Sequence, residues 1–268
     1  MIAAAAILPE PLIDDRQPLP IHPRRIGGVD VMVATAEEAV RVLGDRLDQR
    51  IYTPVGFVNA HCVNVAADDP AYRLALADFL LLPDGIGIDL GSRLLFGTAF
   101  PENLNGTDFV PLLLRSIERP LRVALIGAAE GIVERAAAGF AIQHPRHSFL
   151  PIASGFFAKG AQTEDVLARL RAAKADIVLV ALGVPRQELF IAKHLDGRHA
   201  VLAIGVGALL DFTAGKVPRA PKLLRRLRLE WAYRLAVEPR RMWRRYVIGN
   251  PRFMLRILAE RRRAGRPS

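Results

Sequence analysis

Residues 176–204 read Asp176-Ile-Val-Leu-Val-Ala-Leu-Gly-Val-Pro-Arg-Gln-Glu-Leu-Phe-Ile-Ala-Lys-His-Leu-Asp-Gly-Arg-His-Ala-Val-Leu-Ala-Ile204. The apolar run Asp176–Ala181 predicts a buried strand, and Ala200–Ile204 predicts a second. Helical spacing fills Pro185 to Leu195 between them, with Pro185 suited to a first helical turn. Strands separated by helices of this length give a parallel sheet covered on both faces.

The rhythm continues outward. Arg122–Ile126 and Phe149–Ile152 read as strands, each with a helix behind it, and Tyr52–Asn59, Phe79–Leu82 and Val29–Val33 read as three more. Thr35-Ala-Glu-Glu38 is a capping box that opens a helix through about Leu47. Ile86–Phe96 is helical in pattern, and Thr107 or Asp108 can cap a helix through Ile117. The fold expected is α/β: a Rossmann-like parallel sheet flanked by helices, with a basic α-helical C-terminal appendage. Residues 1–26 are expected to form an irregular Pro-rich arm, 27–215 the α/β domain, and 216–268 the basic tail.

That last boundary is a break in charge. Residues 216–268 carry 17 Lys+Arg against three acids, Glu230, Glu238 and Glu260, a net of +14 in a chain whose total is +10, so the body is near −4. The arginines alternate with Leu223, Leu224, Leu227, Leu229, Trp231, Tyr233, Leu235, Trp243, Tyr246, Val247, Phe253, Leu255 and Ile257. Arginine beside aromatic and aliphatic residues on short helices suits an anionic bilayer surface. No apolar run is long enough to span a bilayer: Val201–Leu210 is about half the length needed. The Ile2–Leu8 run lacks a basic flank, so no secretory signal is expected. The single cysteine, Cys62, forms no internal disulfide and reads as a small buried hydrophobe. Cytoplasmic residence, peripheral on the inner membrane face, follows as the expectation.

In parallel sheets ligands bind at the carboxyl ends of the strands, so the residues just past each strand carry the candidates. Asp84 follows the strand Phe79–Leu82 in Leu-Leu-Pro-Asp-Gly-Ile-Gly. A carboxylate there suits a general base acting on a hydroxyl, and it equally suits a turn aspartate capping the next helix. Gly127-Ala-Ala-Glu-Gly131 either presents helix N-terminal amides to a phosphate or is a plain tight turn; it lacks the full dinucleotide glycine spacing. Arg186 and Gln187 project near a helix start, where a diphosphate or sugar hydroxyls can sit, or they simply make that helix start polar. Gly205 and Gly207 lend flexible backbone beside them. None of the six histidines shows metal spacing; His61, close behind Asn59, either lines the crevice or is a satisfied, partly buried side chain. No D-x-D motif holds a nucleotide diphosphate through a divalent cation, so a departing diphosphate would need arginines and helix ends, and no cofactor is expected.

Taken in order, Asn59, Leu-Pro-Asp84-Gly, Asn105-Gly-Thr-Asp108, Gly183-Val-Pro-Arg-Gln187-Glu, Gly205-Val-Gly-Ala-Leu-Leu-Asp211-Phe, Gly215-Lys-Val-Pro-Arg-Ala-Pro221, Leu229-Glu-Trp-Ala-Tyr-Arg234, Glu238-Pro-Arg-Arg and Tyr246-Val-Ile-Gly-Asn-Pro251-Arg-Phe carry a resemblance. From about Gly27 to Leu258 the chain resembles the WecG/TagA/CpsF family of bacterial glycosyltransferases. The resemblance implies metal-independent, inverting transfer from a UDP-sugar to a polyprenyl-diphosphate-linked acceptor on the inner leaflet. It would make Asp84 the general base and Asn59 and Gln187 contacts to the sugars; Asn103, Asn105, Asp108, Gly127, Arg186, Gly205 and Gly207 are the further candidates for binding the substrates. Arg219, Arg225, Arg226, Arg234, Arg240 and Arg241 would neutralise the departing UDP or meet lipid.

Two departures from the family pattern bear on specificity. Many relatives carry Thr-Pro-Asn at Phe57-Val58-Asn59, and many carry an arginine where Asn103 stands. Relatives also add glucose or glucuronic acid to longer lipid-linked oligosaccharides in exopolysaccharide assembly, and some oligomerise. The competing readings are a nucleic-acid-binding protein gripping phosphates with its Arg-rich tail, a nucleotide-dependent Rossmann oxidoreductase, and a catalytically dead membrane scaffold.

Overall fold

The computed structural model describes residues 22–158, 160–221, 224 and 230–264. Six strands form one parallel sheet: β3 (Thr53–Val58), β4 (Leu80–Pro83), β5 (Arg122–Gly127), β6 (Ser148–Ala153), β7 (Ile177–Ala181) and β8 (Leu202–Gly205). Their order across the sheet is β4-β3-β8-β7-β5-β6, and every neighbouring pair is parallel. The central strands β3, β5, β7 and β8 are almost wholly buried because both faces are covered, whereas the edge strand β6 is largely open. Val123, Leu125, Ile177, Leu179, Leu202 and Ile204 enter the core on one face, and Ala124, Ile126, Val178, Val180 and Ala203 enter the core on the other. The first core is closed by α1 (Ala36–Gln49), α5 (Gly106–Ser116), α6 (Ile132–Gln143) and α9 (Leu209–Thr213). The second is closed by α2 (Ala60–Asp68), α3 (Pro70–Ala75), α4 (Ile86–Phe96), α7 (Ala161–Ala173) and α8 (Arg186–His194).

Three local expectations are corrected. The strand at Val29 does not join the parallel sheet: β2 (Val29–Met32) pairs antiparallel with β1 (Pro23–Ile26), so the arm ends in a strand. Gly27 and Gly28 both have positive φ, which is what a two-residue hairpin turn requires. The third concerns α5, which is capped by Asn105, whose side chain accepts from the Asp108 amide; Thr107 and Asp108 lie inside the helix.

The tail is partly a core element. After α10 (Glu230–Val237), α11 (Pro239–Trp243) and a π-helical turn (Arg244–Ile248), α12 (Gly249–Ala264) packs against α2 and α4. Phe253 and Ile257, expected to dip into lipid, are fully buried instead. Gly91 makes room, since a Cβ there would sit 3.0 Å from the Phe253 ring. Asn64 donates to the Gly249 carbonyl at 2.7 Å, Glu260 accepts from the Gly27 amide at 2.9 Å, and Asp68 pairs with Arg252 and Arg256. Burying the two apolar side chains contributes about 3–6 kcal/mol, and exposed ion pairs add little. Trp243, Val247, Ile248, Leu255 and Leu258 remain exposed. No helix among the described residues is long and apolar enough to cross a membrane.

Candidate active site

The sheet register builds the centre of the site. Val58 of β3 pairs with Pro83 of β4, so the next residues, Asn59 and Asp84, leave the sheet side by side. The ladder continues one step further, from the Asp84 amide to the Val58 carbonyl at 2.8 Å. The Asn59 side chain works at both ends. Its oxygen caps α2, accepting from the His61 and Cys62 amides, while its Nδ2 donates to Asp84 Oδ2 at 3.1 Å. Gly85 turns the chain with φ +90, and its amide donates to Asn103 Oδ1 at 2.6 Å. Asn103 therefore pins the turn that presents Asp84. Phe57 packs edge-on against Phe109 and fills the space beside Gly106, where a Cβ would lie 2.8 Å from its ring.

Arg234 and Arg245 of the tail act on this carboxylate through their charge. Arg219 Nη2 pairs with Asp108 Oδ1 at 2.6 Å, and Asn105 holds the other Asp108 oxygen at 2.9 Å. Arg234 stacks over the Phe212 ring, and Trp231 packs edge-on against Tyr246, which ties α10 to the π turn. Burial raises the Asp84 pKa; the Asn59 hydrogen bond, Arg245 and Arg234 oppose the rise, and Asp108 adds to it. Burial likewise raises Glu230, with Arg219 and Arg234 opposing and Asp84 and Asp108 reinforcing. Burial and Arg245 push the His61 imidazole down to about 4, so it is neutral at neutral pH. Asp84 thus lies in the field of Arg234 and Arg245, Glu230 in that of Arg219 and Arg234, and Asp108 pairs with Arg219. The Nε atoms of these three arginines are buried and meet no hydrogen-bond partner among the described residues.

Glu230 and Arg245 belong to this group, and sequence reasoning assigned neither a role. Glu230 carried a faint signal as the first acid in an arginine-rich stretch. Arg245 carried none that distinguishes it from its neighbours. Of the other tail candidates, Arg240 is exposed on α11, where it lines an open hollow with Pro239, Trp243 and Arg244. Arg241 also lies in α11, and Arg225 and Arg226 fall outside the described residues.

The second half of the sheet supplies the rest of the rim. Gly127 is dictated by the neighbouring strand, because a Cβ would sit 2.4 Å from the Ala181 carbonyl oxygen. Arg186 is exposed and folds back to donate twice to the Leu182 carbonyl. Gln187 is buried. Its Oε1 accepts from the Gly183 amide at 3.2 Å and the Gly207 amide at 3.0 Å, and its Nε2 donates to Glu188 Oε1 at 2.8 Å. Gly205 leaves space for that amide; a Cβ there would lie 2.9 Å from Gln187 Nε2.

A carboxylate at the carboxyl edge of a parallel sheet, faced by arginines from a C-terminal helical segment, suits an α/β transferase: it can accept a proton while cations meet an anionic leaving group. The chain belongs to the glycosyl transferase WecG/TagA/CpsF family, whose model matches residues 24–267. It is accordingly a glycosyltransferase. Over 207 residues it is 33% identical to an N-acetylglucosaminyldiphosphoundecaprenol N-acetyl-beta-D-mannosaminyltransferase of Bacillus spizizenii strain W23, covering 75% of this chain and 77% of that protein. A protein of the same name from Bacillus subtilis strain 168 is 32% identical over 216 residues, covering 80% and 82% of the two chains.

Proposed function

We propose that the chain transfers a sugar from a UDP-sugar to a polyprenyl-diphosphate-linked acceptor at the inner face of the membrane, with inversion and without a metal ion. The relatives' names describe transfer to a diphosphoundecaprenol-linked N-acetylglucosamine. The observation that carries the reading is the Asn59–Asp84 pair set among the tail arginines. Asp84 takes the proton from the acceptor hydroxyl as that oxygen attacks the anomeric carbon. A raised pKa makes it a stronger base than an ordinary aspartate, provided it is ionised at the working pH. Asn59 holds the carboxylate, and Asn103 holds the turn beneath it. Arg219, Arg234 and Arg245 meet the diphosphate that leaves, and their Nε donors, unpartnered among the described residues, fit such an anion. Asp108 holds Arg219 before the anion arrives, and Glu230 lies in the field of Arg219 and Arg234.

Gln187 supports the reaction from behind the rim, because its amide already binds the two loops and Glu188. Phe57 replaces a hydroxyl with a ring, and Asn103 is committed to Gly85. Both departures favour a donor and acceptor other than the mannosamine and glucosamine pair, in the setting of exopolysaccharide assembly. The test is UDP release from a panel of UDP-sugars with membrane lipid-linked oligosaccharides and EDTA present. Release with one sugar that depends on the lipid acceptor supports the reading; release that requires added divalent metal, or none across the panel, counts against it.

A further inference from the structure

Behind the rim lies a group with no assigned role. Glu188 stands in the first turn of α8 and is 1% exposed. One carboxyl oxygen accepts from the Gln187 amide, and the other, Oε2, meets no hydrogen-bond partner among the described residues. A buried, half-satisfied carboxyl is expensive for a fold to keep. Its neighbours do not offset the cost: burial pushes Cys62 up to about 11 and pushes Tyr72 upward as well, so neither supplies a counter-charge. The strands against α8 bring none either, since β3, β7 and β8 contain no titratable residue.

What Glu188 does provide is direction. Two backbone N–H groups, from Gly183 and Gly207, converge on one end of the Gln187 amide. Only the oxygen end can receive them, which turns the NH2 end toward residue 188, and the group standing there either matches or opposes that choice. An ionised carboxylate accepts and cannot donate; it matches the NH2 group and repels the reversed amide. Reversal would set NH2 against two N–H groups and oxygen against oxygen, losing all three hydrogen bonds. Gly183 and Gly207 lie past the carboxyl ends of β7 and β8, and β8 borders β3, whose end carries Asn59.

We propose that Glu188 is a positioning residue for the transfer: it fixes the Gln187 amide in the one orientation that clasps the β7 and β8 loops at the crevice. Burial, opposed by the Gln187 hydrogen bond and by Glu188's own backbone amide, raises its pKa to about 6, so at pH 8 the fold holds an ionised group against its preference. The inference rests on the sugar-transfer reading, and its test separates the two. Glu188→Gln keeps the shape but offers Gln187 either end of an amide. Its expected signature is a melting temperature at pH 8 equal to or above wild type. With that, kcat falls on the order of tenfold or more, acceptor KM stays within about twofold, and hydrogen exchange quickens at the Gly183 and Gly207 amides. Exchange reads the clasp without turnover. Unchanged exchange would overturn the clasp, and faster exchange with unchanged kcat would overturn its role in transfer. A melting temperature that falls in step with kcat would reduce Glu188 to packing. If the wild type transfers no sugar at all, the functional reading fails while the exchange result stands.

Discussion

Asp84 carries the sharpest expectation at the scale of single residues. Asp84→Asn keeps an oxygen that accepts from Asn59 Nδ2, so the local fold survives while the base is gone. Turnover should fall by about 10²–10⁴-fold, with UDP affinity nearly unchanged by calorimetry. The pH dependence follows from the raised pKa. In the folded state Asp84 takes up its proton at higher pH than in the unfolded chain, so kcat/KM should lose its acid side above the ordinary aspartate range near 3.9. The same shift favours the fold at low pH and is lost as pH rises through the raised value. Asp84→Asn should therefore melt no lower than wild type at pH 8, and any advantage should shrink toward acid. Asn103→Ala, by contrast, strips the Gly85 amide of its acceptor, with a cost of about 1–3 kcal/mol by urea titration and a fall in kcat. Asp84 and Asn59 were legible because a strand end announces itself through its apolar run. The work of Asn103 and Gln187 was not, because their partners are backbone amides of residues that only the fold brings near.

Elements were legible where a period repeats and illegible where the question was what covers a face. The near-continuous apolar runs of β4, β5, β7 and β8 pointed to a parallel sheet, because a strand covered on both sides is apolar at almost every position. The same logic misplaced Val29–Met32, since four residues with apolar alternation do not reveal which sheet they join. It also misread α12. An amphipathic helix with an arginine face has the same spacing whether its apolar side meets lipid or α2 and α4. The packing of Phe253 decides the matter, and Phe253→Ala should cost about 3–5 kcal/mol in urea titration, as for a core aromatic. A loss below about 1 kcal/mol would mean that the helix is a detachable appendage. Cutting the chain near residue 215 would uncover Ile26 and Val63 and damage the body, so truncation is a poor test of membrane attachment.

Attachment is a property of the whole molecule, and it calls for substitutions that leave α12 seated. A body near −4 and a tail of +14 would orient the molecule on an anionic surface, if the proposed attachment holds. Orientation by charge alone weakens once salt shortens the screening length to a few ångströms. The exposed Trp243, Val247 and Ile248 add a part that salt does not screen, and the Arg244 guanidinium over the Trp243 ring keeps cation and apolar surface together at one edge. Each arginine near an anionic surface contributes about 1 kcal/mol. Wild type should therefore co-sediment with anionic vesicles in about 150 mM salt and be partly retained in about 500 mM, where charge is largely screened. The triple change Trp243→Ser, Val247→Ser, Ile248→Ser should bind at low salt yet be released at high salt, with an unaltered melting temperature because all three side chains are already exposed. Transfer to lipid-embedded acceptor should fall with it, while UDP affinity stays the same. Equal retention of the triple variant at high salt would move the apolar contact elsewhere, to Leu255 and Leu258 on the outer face of α12. Retention of wild type on DNA but not on vesicles at about 150 mM salt would instead assign the basic tail to nucleic acid.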